Sequence, residues 1–309
     1  MNIVYNGVDI TGDVEPIVAR TTDYAGGKPD SLSLVFADLD GTWGKWGPKK
    51  GDTIRIRENG YDSGEMYIDQ LTQGTGRFGI DALSIPAASR TARSQGWENV
   101  RLLEIAAEIA ARYRFRLQSV GIVNHLYDRV DQTDEADFAF LARRCSMEGF
   151  ALKIHDRSLV LYDERSQEQA EIDPQAAVIR AGDMLGSYEF MDKSTDIYER
   201  CIVQYASSKG MIVGECADSE VSGAVLRQTM YAADEAEASR WAKGLLRAGN
   251  KHRITGTSTI PLNTEYAAGT VIRVQDAGQF DGRYFIDAIV HDWKARRSQL
   301  RLRRPLEGY

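Results

Sequence analysis

The stretch GDTIRIRENGYDSGEMYIDQL, from Gly51 to Leu71, has a counterpart near the other end of the chain. This counterpart is GTVIRVQDAGQFDGRYFIDAI, from Gly269 to Ile289, and the two align over 21 residues without a gap. Average residue usage would produce about one or two identities in such a window. Identical residues instead stand at seven positions: Gly51/Gly269, Ile54/Ile272, Arg55/Arg273, Gly60/Gly278, Gly64/Gly282, Ile68/Ile286 and Asp69/Asp287.

The matched positions are those that specify a β-hairpin. In each stretch, alternating apolar residues predict two strands with one buried face, and glycines stand at the same offsets in the connection between them. We interpret the pair as a duplicated β-domain, with one copy near each end of the chain. The alternative is that two unrelated hairpins follow the same local rules. Two similar domains per chain suit a symmetric ring, in which three subunits would present six of them.

The composition is that of an ordinary soluble globular protein with room for two or three cores. The chain has 309 residues, of which 43% are hydrophobic and 27% charged. No run of 18 apolar residues occurs, so we expect no membrane insertion. The net charge of −7 disfavours a protein that binds nucleic acid by neutralising phosphates, although DNA could pass through a channel without binding.

Cysteine and histidine spacing predicts neither a metal site nor a cofactor. Cys145, Cys201 and Cys216 lie far apart and form no CxxC pair, which indicates a reducing compartment and buried thiols. The four histidines show no HExxH or HxH spacing, so we expect none of them to bind a metal.

The first ninety residues predict β-structure. Apolar side chains alternate along several segments, and glycine-rich connections between them supply the positive φ angles that hairpins need. The alternating segments are SLSLVF (31–36), TIRIR (53–57) and EMYIDQL (65–71).

The middle of the chain predicts two helices. The first covers 98–113, where apolar residues recur at helical spacing on one face. The second begins after Thr133 or Asp134 as the N-cap and ends at Gly149.

A hairpin and a surface connection follow these helices. Residues 150–164 predict a hairpin that turns near Asp156 and Arg157. The polar stretch RSQEQAEIDPQ, residues 165–175, predicts a surface connection.

The last third returns to strands, beginning at 199–207, with one helix over 234–248. Asp234 and Glu237 have the spacing of a capping box at the start of this helix. A buried stripe is predicted along the helix at Ala238, Trp241, Ala242 and Leu245.

The middle segment also carries a family resemblance. From Tyr127 to Asp163, a Gln-Thr-Asp-Glu start precedes an aromatic-rich helix, then Glu-Gly-Phe and a hairpin. This segment resembles the phage late control gene D proteins, the central hubs of contractile-tail baseplates, which are related to the N-terminal part of the VgrG spike proteins of type VI secretion. The segment FDGRYFIDAIVHDW (280–293) resembles that family's C-terminal barrel. The matching residues of the middle segment are Gln132, Thr133, Asp134, Glu135, Asp137, Phe138, Leu141, Glu148, Gly149 and Phe150.

The resemblance implies an α+β, mainly β fold with two related antiparallel β-barrel domains flanking a mixed α/β insert. We expect the first barrel at 1–92, the insert at 93–185, and the second barrel with one helix at 186–309. The family's assembly is a homotrimer whose barrels form a pseudo-hexameric ring between the hexameric tail tube protein and the trimeric tail spike protein.

Further expectations concern partners and location. The family implies contacts with other baseplate proteins, and a channel through which DNA or the tape-measure protein passes. It places the protein in a virion tail baseplate or tail-like particle, assembled in the host bacterial cytoplasm. The chain lacks the long C-terminal β-helix of VgrG proteins, so we expect the spike to be a separate protein.

One motif favours an enzyme instead. LVFADLDGTW, Leu34 to Trp43, resembles the hhhhDxDGT motif of haloacid-dehalogenase-type phosphatases. The resemblance implies Asp38 as nucleophile and Asp40 as acid/base, with GDMLGSYEFMD (182–192) as a later acidic motif.

The context of this motif disfavours catalysis. Such chemistry needs a buried parallel strand followed by a helix, whereas SLSLVF alternates as an antiparallel strand does, and GKWGPKKG predicts a loop. We therefore predict a non-enzymatic structural protein and keep the phosphatase as the alternative.

Two surface segments are candidate interfaces. Trp43 and Trp46 lie in the predicted loop with Lys49 and Lys50, and they serve either to cover the first core or to contact a neighbouring subunit or ring. The C-terminal KARRSQLRLRR (294–304) holds six basic residues and no acid. Alternation there predicts that Arg301 and Arg303 share the solvent face of a strand, where they are either solvated or contact an acidic partner.

Overall fold

The computed structural model describes residues 1–171 and 177–309. These residues form mainly β-structure in antiparallel sheets with a few helices, which confirms the predicted mainly β class. The hydrogen-bonded strand paths of the described residues do not close into a barrel. Among the same residues, no helix combines the length and the apolar character that a membrane crossing requires.

The first segment consists of short strands and one short helix. A single 3₁₀ turn (Ala87–Arg90) ends it. Its elements are β1 (Asn2–Tyr5), β2 (Val8–Asp9), β3 (Pro16–Tyr24), β4 (Ser31–Ala37), α1 (Thr42–Trp46), β5 (Thr53–Glu58), β6 (Tyr61–Asp62), β7 (Met66–Gly74) and β8 (Arg77–Leu83).

The middle segment mixes helices and strands. Its elements are β9 (Ala92–Arg101), α2 (Leu102–Arg112), β10 (Arg116–Val120), β11 (Leu126–Ala136), α3 (Asp137–Met147), β12 (Phe150–His155), β13 (Ser158–Asp163), α4 (Glu164–Glu168) and β14 (Val178–Arg180).

The last segment is again built mostly of strands. Its elements are β15 (Glu189–Asp192), β16 (Tyr198–Ser207), β17 (Gly210–Ala217), β18 (Ala224–Thr229), α5 (Glu235–Asn250), β19 (Ile254–Pro261), β20 (Val271–Gln275), β21 (Gly282–Asp292) and β22 (Arg297–Arg303). Two further 3₁₀ turns lie at Ala181–Asp183 and Gly278–Phe280.

The two long repeat stretches adopt the same hairpin with the same register. Each opening glycine donates its amide to the carbonyl of the isoleucine 17 positions later, over 2.8 Å in the first copy and 2.9 Å in the second. Each hairpin also carries a β-bulge at its shared aspartate, Asp69 or Asp287. The equivalent strand pairs are Thr53–Tyr67 with Val271–Phe285 and Ile54–Met66 with Ile272–Tyr284.

The likeness continues beyond the hairpins. Around the first copy the strand order is β3-β4-β8-β7-β5-β1, and around the second it is β15-β19-β22-β21-β20-β14. One difference is that β14 pairs parallel to β20, whereas β1 pairs antiparallel to β5. Pairing of β21 with β3 joins the two copies into one continuous sheet.

The hairpin predicted near Asp156 and Arg157 is confirmed. Strands β12 and β13 pair antiparallel from His155–Ser158 outward, and both turn residues have positive φ. The capping prediction for α5 is confirmed in part, because the Asp234 carboxylate accepts a hydrogen bond from the Glu237 amide over 2.8 Å. The Glu237 carboxylate, however, accepts from the Ala233 amide and not from the cap residue itself.

Two helix starts were predicted too early. Residues 98–101 belong to β9, and α2 begins only at Leu102, where the Glu104 carboxylate accepts from the Arg101 amide over 2.7 Å. Thr133 and Asp134 lie in β11 and do not cap α3, which begins at Asp137. In both places the β9–β11 pairing uses backbone groups that the helix pattern had assigned to a first turn.

The predicted surface connection at 165–175 is also corrected in its first part. Residues 164–168 form the short helix α4, and both of its glutamates, Glu164 and Glu168, are buried. Residues 169–171 are exposed, as predicted, and the remainder of that prediction, 172–175, lies outside the described residues.

The described residues form three hydrophobic cores, and one of them combines parts of the chain that are not consecutive. One core fills the first copy, around Ile54, Ile56 and Trp43, and a second fills the second copy, around Ile272 and Phe285. The third core belongs to the middle segment and also takes in residues of β16 and α5. Shared packing therefore groups 198–250 with the middle segment, while the proposed domain limits at 92/93 and 185/186 remain a prediction.

Candidate interaction surfaces

The segment between β4 and β5 separates its two tryptophans. Trp43 is buried, with its ring centroid 4.2 Å from that of Phe36 and stacked 5.4 Å from Phe78. Trp46 is 44% exposed and rests on Tyr5, with 4.6 Å between ring centroids. Trp43 therefore completes the first core, and Trp46 is the tryptophan that a partner could reach.

An open groove lies beside Trp46. Its volume is about 950 Å³, and its wall combines apolar side chains with the carboxylates of Asp13, Glu15 and Asp40. Leu39, 88% exposed, stands at the groove. Lys49 and Lys50 are exposed on the chain that leads into β5.

The segment between β4 and β5 was predicted as a loop, but part of it is helical, because α1 occupies Thr42–Trp46.

The DLDGT motif has a structural role in this segment. Asp38 is buried, and its carboxylate accepts from the Trp43 amide over 3.1 Å and from Gln73 Nε2 over 3.2 Å. Asp40 is exposed, and β4 pairs antiparallel on both sides. Four strands separate β4 from β15, which holds the end of the second acidic motif, 182–192. Asp38 therefore stabilises a turn, and the fold does not bring Asp38 and Asp40 together with the acidic residues at the end of 182–192 as a phosphatase site would need.

The C-terminal strand corrects one predicted surface residue. Leu300 and Leu302 are buried and Arg301 is exposed, as the alternation predicts. Arg303 is fully buried, with 0% exposure, so in this fold it does not face solvent or an outside partner. Arg303 is buried nevertheless because the glutamates of α4 lie against its guanidinium at that end of β22.

Arg303 stands at the centre of a buried ionic cluster. Its guanidinium donates to Asp287 over 2.7 Å, lies 3.1 Å from Glu164, and also pairs with Glu168. The same guanidinium lies 4.3 Å above the Phe285 ring centroid. The cluster therefore ties α4 to β21 and β22, that is, the middle segment to the second copy.

Two cations at the C-terminal end of α5 complete the cluster, one inside the helix and one at its C-cap. Arg247 lies 3.3 Å from Glu164 and also pairs with Glu168, and Lys251 lies 3.0 Å from Glu164. Burial acts to raise the pKa of Glu164, but the charges of Lys251, Arg303 and Arg247 outweigh it and lower the pKa to about 2. The i, i+4 spacing of the two glutamates was visible in the sequence, but nothing local indicated their cationic partners.

The turn of the β12–β13 hairpin docks on the loop of the first repeat. The Asp156 carboxylate accepts from the Glu65 amide over 3.1 Å and contacts Arg55 over 3.5 Å. Gly64, at φ 67°, passes so close that a Cβ on it would stand 2.8 Å from the Asp156 Cβ. Gly64 is thus required both by the loop backbone and by this contact.

Strand β12 also forms ionic contacts with the first copy. Lys153 pairs with Asp23, and His155 Nδ1 lies 3.1 Å from Asp30. The hydrogen bond to Asp30 raises the pKa of His155, and burial raises the pKa of Asp30. Together with the ionic cluster, these contacts attach the middle segment to both copies.

Comparison with solved structures finds the fold of this chain in several other proteins. No protein-family model matches the chain, and no curated protein matches it either. The structure is similar to the 43 kDa tail protein of prophage MuSo2 from Shewanella oneidensis, with a TM-score of 0.76, 14% identity, and 98% of each chain covered. A tail protein from Neisseria meningitidis MC58 has a TM-score of 0.74 and 13% identity, over 98% of this chain and 95% of that one. The chain has the fold of phage tail proteins.

The tail-protein fold also appears in type VI secretion. The E. coli c3393 protein, a component of that system, covers 99% of this chain and 78% of its own, with a TM-score of 0.59 and 12% identity. The resemblance drawn from Tyr127–Asp163 is therefore confirmed at the level of fold, since two of these neighbours are tail proteins and the third is a component of type VI secretion.

Proposed function

We propose that the protein is a non-enzymatic baseplate hub of a phage tail or tail-like contractile injection particle. The observation that carries the proposal is the repeated hairpin, which has the same register and the same bulge in both copies of a chain with a tail-protein fold. A chain with two equivalent units supplies two positions of a pseudo-sixfold ring. Three chains would then join the hexameric tail tube on one side to the trimeric spike on the other.

In this assembly the two copies act as the barrel-like units and the middle segment as the attached insert. We assign 198–250 to that insert, since its residues share the middle core. The ring encloses a channel that the DNA or tape-measure protein traverses, and other baseplate proteins bind its outside. The protein resides in the tail baseplate.

Partner contacts are proposed at the surface candidates that remain accessible. Trp46 and Leu39 offer apolar contacts beside the partly acidic groove of the first copy, and Lys49 and Lys50 add cations on the chain that follows; we assign this surface to the tube or a neighbouring ring. Arg301 is the accessible cation of the C-terminal strand. Trp43 and Arg303 are excluded from these contacts by their burial.

Solution mass tests the proposal. Three chains of 34.4 kDa give about 103 kDa, and we expect light scattering to find that mass over a wide range of protein concentration. A monomer at every concentration would overturn the hub. A trimer that binds purified tube protein, with binding weakened by Trp46→Ala but not by Val120→Ala, an exposed apolar residue of the insert, would support both the hub and its tube-facing surface.

A further inference from the structure

The joint between the two copies inside one chain has a defined geometry. The second half of β21 pairs antiparallel with β3, from Ala288 opposite Tyr24 to Asp292 opposite Arg20. Arg20 Nε donates to the Asp292 carboxylate over 3.0 Å at the end of this ladder. The joint begins directly after the bulge at Asp287, which bends the strand away from its own hairpin.

The pairing ladders define which residues of the two copies are equivalent. Starting from the shared hairpin, each step moves to the residue opposite on the next strand. This makes β15 the equivalent of β3, and residues 70–74 of β7 the equivalent of 288–292. The equivalent pairs along the path are Tyr67 and Phe285, Leu83 and Arg303, Ser31 and Thr255, and Thr22 and Met191.

Both strands that would repeat the joint have an open edge. Residues 70–74 pair only with β8, and β15 pairs only with β19, among the strands of 1–171 and 177–309. The bulge at Asp69 precedes the first open edge just as the bulge at Asp287 precedes the joint. On the second edge, Met191 is 47% exposed although it is a large apolar residue. Open strand edges of this kind are templates for pairing with another chain.

We propose that these two edges pair between neighbouring copies of the protein, β7 of one protomer with β15 of the next. The proposal rests on the hub function above and adds the joint that closes the ring. Its register follows from the joint inside the chain. The predicted opposite residues are Leu71 and Asp192, Thr72 and Met191, Gln73 and Phe190, and Gly74 and Glu189.

The side chains at these edges fit this register. Gln73 lies opposite the buried Phe78 and donates to Asp38, and Phe190 packs over Gly256. Both residues are therefore on the core face of their strands, as His291 and Thr21 are in the existing joint, although Gln73 itself is exposed. Residues directly opposite in an antiparallel pair must share a face, and these pairs do. A shift by one residue would place Phe190 opposite an outward side chain.

Charge complementarity gives an independent argument. Arg77 lies opposite Gly74 in the β7–β8 pair, and its side chain extends across the glycine, with Nε 3.0 Å from where a Cβ would stand. The guanidinium is therefore directed over a residue without a side chain toward the open edge. In the proposed register the next residue in that row is Glu189 of the neighbouring protomer. Neither Arg77 nor Glu189 forms an ion pair within the described residues.

Cysteine cross-linking tests the register. Adjacent pairs in an antiparallel ladder alternate between two geometries, and the closer, non-hydrogen-bonded one suits a disulfide. We therefore expect either Thr72→Cys/Met191→Cys or Leu71→Cys/Asp192→Cys to form a covalent trimer under mild oxidation. Each single variant controls for the native cysteines, and Thr72→Cys/Glu189→Cys is the out-of-register control. A wild-type trimer in which neither in-register pair cross-links would overturn this joint but leave the hub intact, whereas a monomer would overturn the hub.

Charge reversal tests the same joint without new cysteines. Arg77→Glu and Glu189→Arg should each weaken the trimer, by about twofold per joint and so about tenfold over three joints. The double variant should restore it, and the rescue should fade in high salt. If the double variant were as weak as the sum of the two single ones, the Arg77–Glu189 contact would be refuted.

Discussion

The buried Arg303 allows a sharp comparison with its exposed neighbour, Arg301. Arg303→Met keeps a long side chain over the Phe285 ring but removes the guanidinium, and with it the cation–π contact and the charge that Asp287, Glu164 and Glu168 share. Removing one partner of a buried ion pair costs about 3–5 kcal/mol. We expect the lower end, about 3 kcal/mol, because Arg247 still neutralises both glutamates.

This loss converts into a change of melting temperature. A chain of 309 residues has an unfolding entropy of about 0.65 kcal/mol/K, so about 3 kcal/mol lowers Tm by about 5 °C. Arg301→Met, on the exposed face of the same strand, should stay within about 0.5 kcal/mol, or about 1 °C. Calorimetry at one fixed protein concentration measures both variants, because the proposed trimer would make Tm depend on concentration.

Equal Tm values for the two arginine variants would refute the ionic-cluster argument. A second variant separates charge from packing. Adding Glu168→Gln to Arg303→Met removes one of the two glutamate charges that Arg247 would otherwise have to balance alone, so we expect part of the lost stability to return. A double variant that is less stable by the full sum of its two changes would show that packing, and not charge balance, holds this region together.

Two other features make comparable predictions. Gly64→Ala combines a positive φ with a clash against Asp156 and should cost about 3 kcal/mol, whereas Gly60→Ala, at φ 82° in open space, should cost about 1 kcal/mol in the same thermal assay; equal costs would contradict the docking of the hairpin. The pKa of Glu164 falls on folding from 4.5 to about 2, so its contribution is present above pH 4.5 and is lost as pH drops from there toward 2. We expect about 3 kcal/mol more acid destabilisation in the wild type than in Glu164→Gln, measured by urea unfolding between pH 6 and 2.5; parallel pH profiles would contradict the lowered pKa.

Several features followed from the sequence because their causes are local. The two hairpins are set by alternation and by glycines at fixed offsets, and the turn at Asp156 and Arg157 by the residues that flank it. Asp234 begins α5 because its carboxylate reaches an amide three residues later. The family resemblance rests on such local patterns, and its mainly β class and its likeness to tail proteins are confirmed.

Other features depended on partners distant in the chain. Pairing of β9 with β11 delayed the starts of α2 and α3, although both segments carry good helix patterns. Apolar residues of β16 and α5 pack in the core of the middle segment and not in that of the second copy.

The candidate interaction surfaces show the same division between local and distant causes. Trp43 and Trp46 lie three residues apart with the same side chain, and only the fold decides which of them is buried.

The duplicated hairpin shows both what local sequence determines and what depends on residues distant in the chain. The sequence by itself determined that the same strand pair occurs twice, because the alternation of apolar residues and the spacing of the glycines are local properties of the chain. Only the tertiary structure decided that one copy has Leu83 where the other has Arg303, and that the latter is buried. Its carboxylate partners Glu164 and Glu168 come from a helix more than a hundred residues away, and burial of a charge depends on where such partners lie in space.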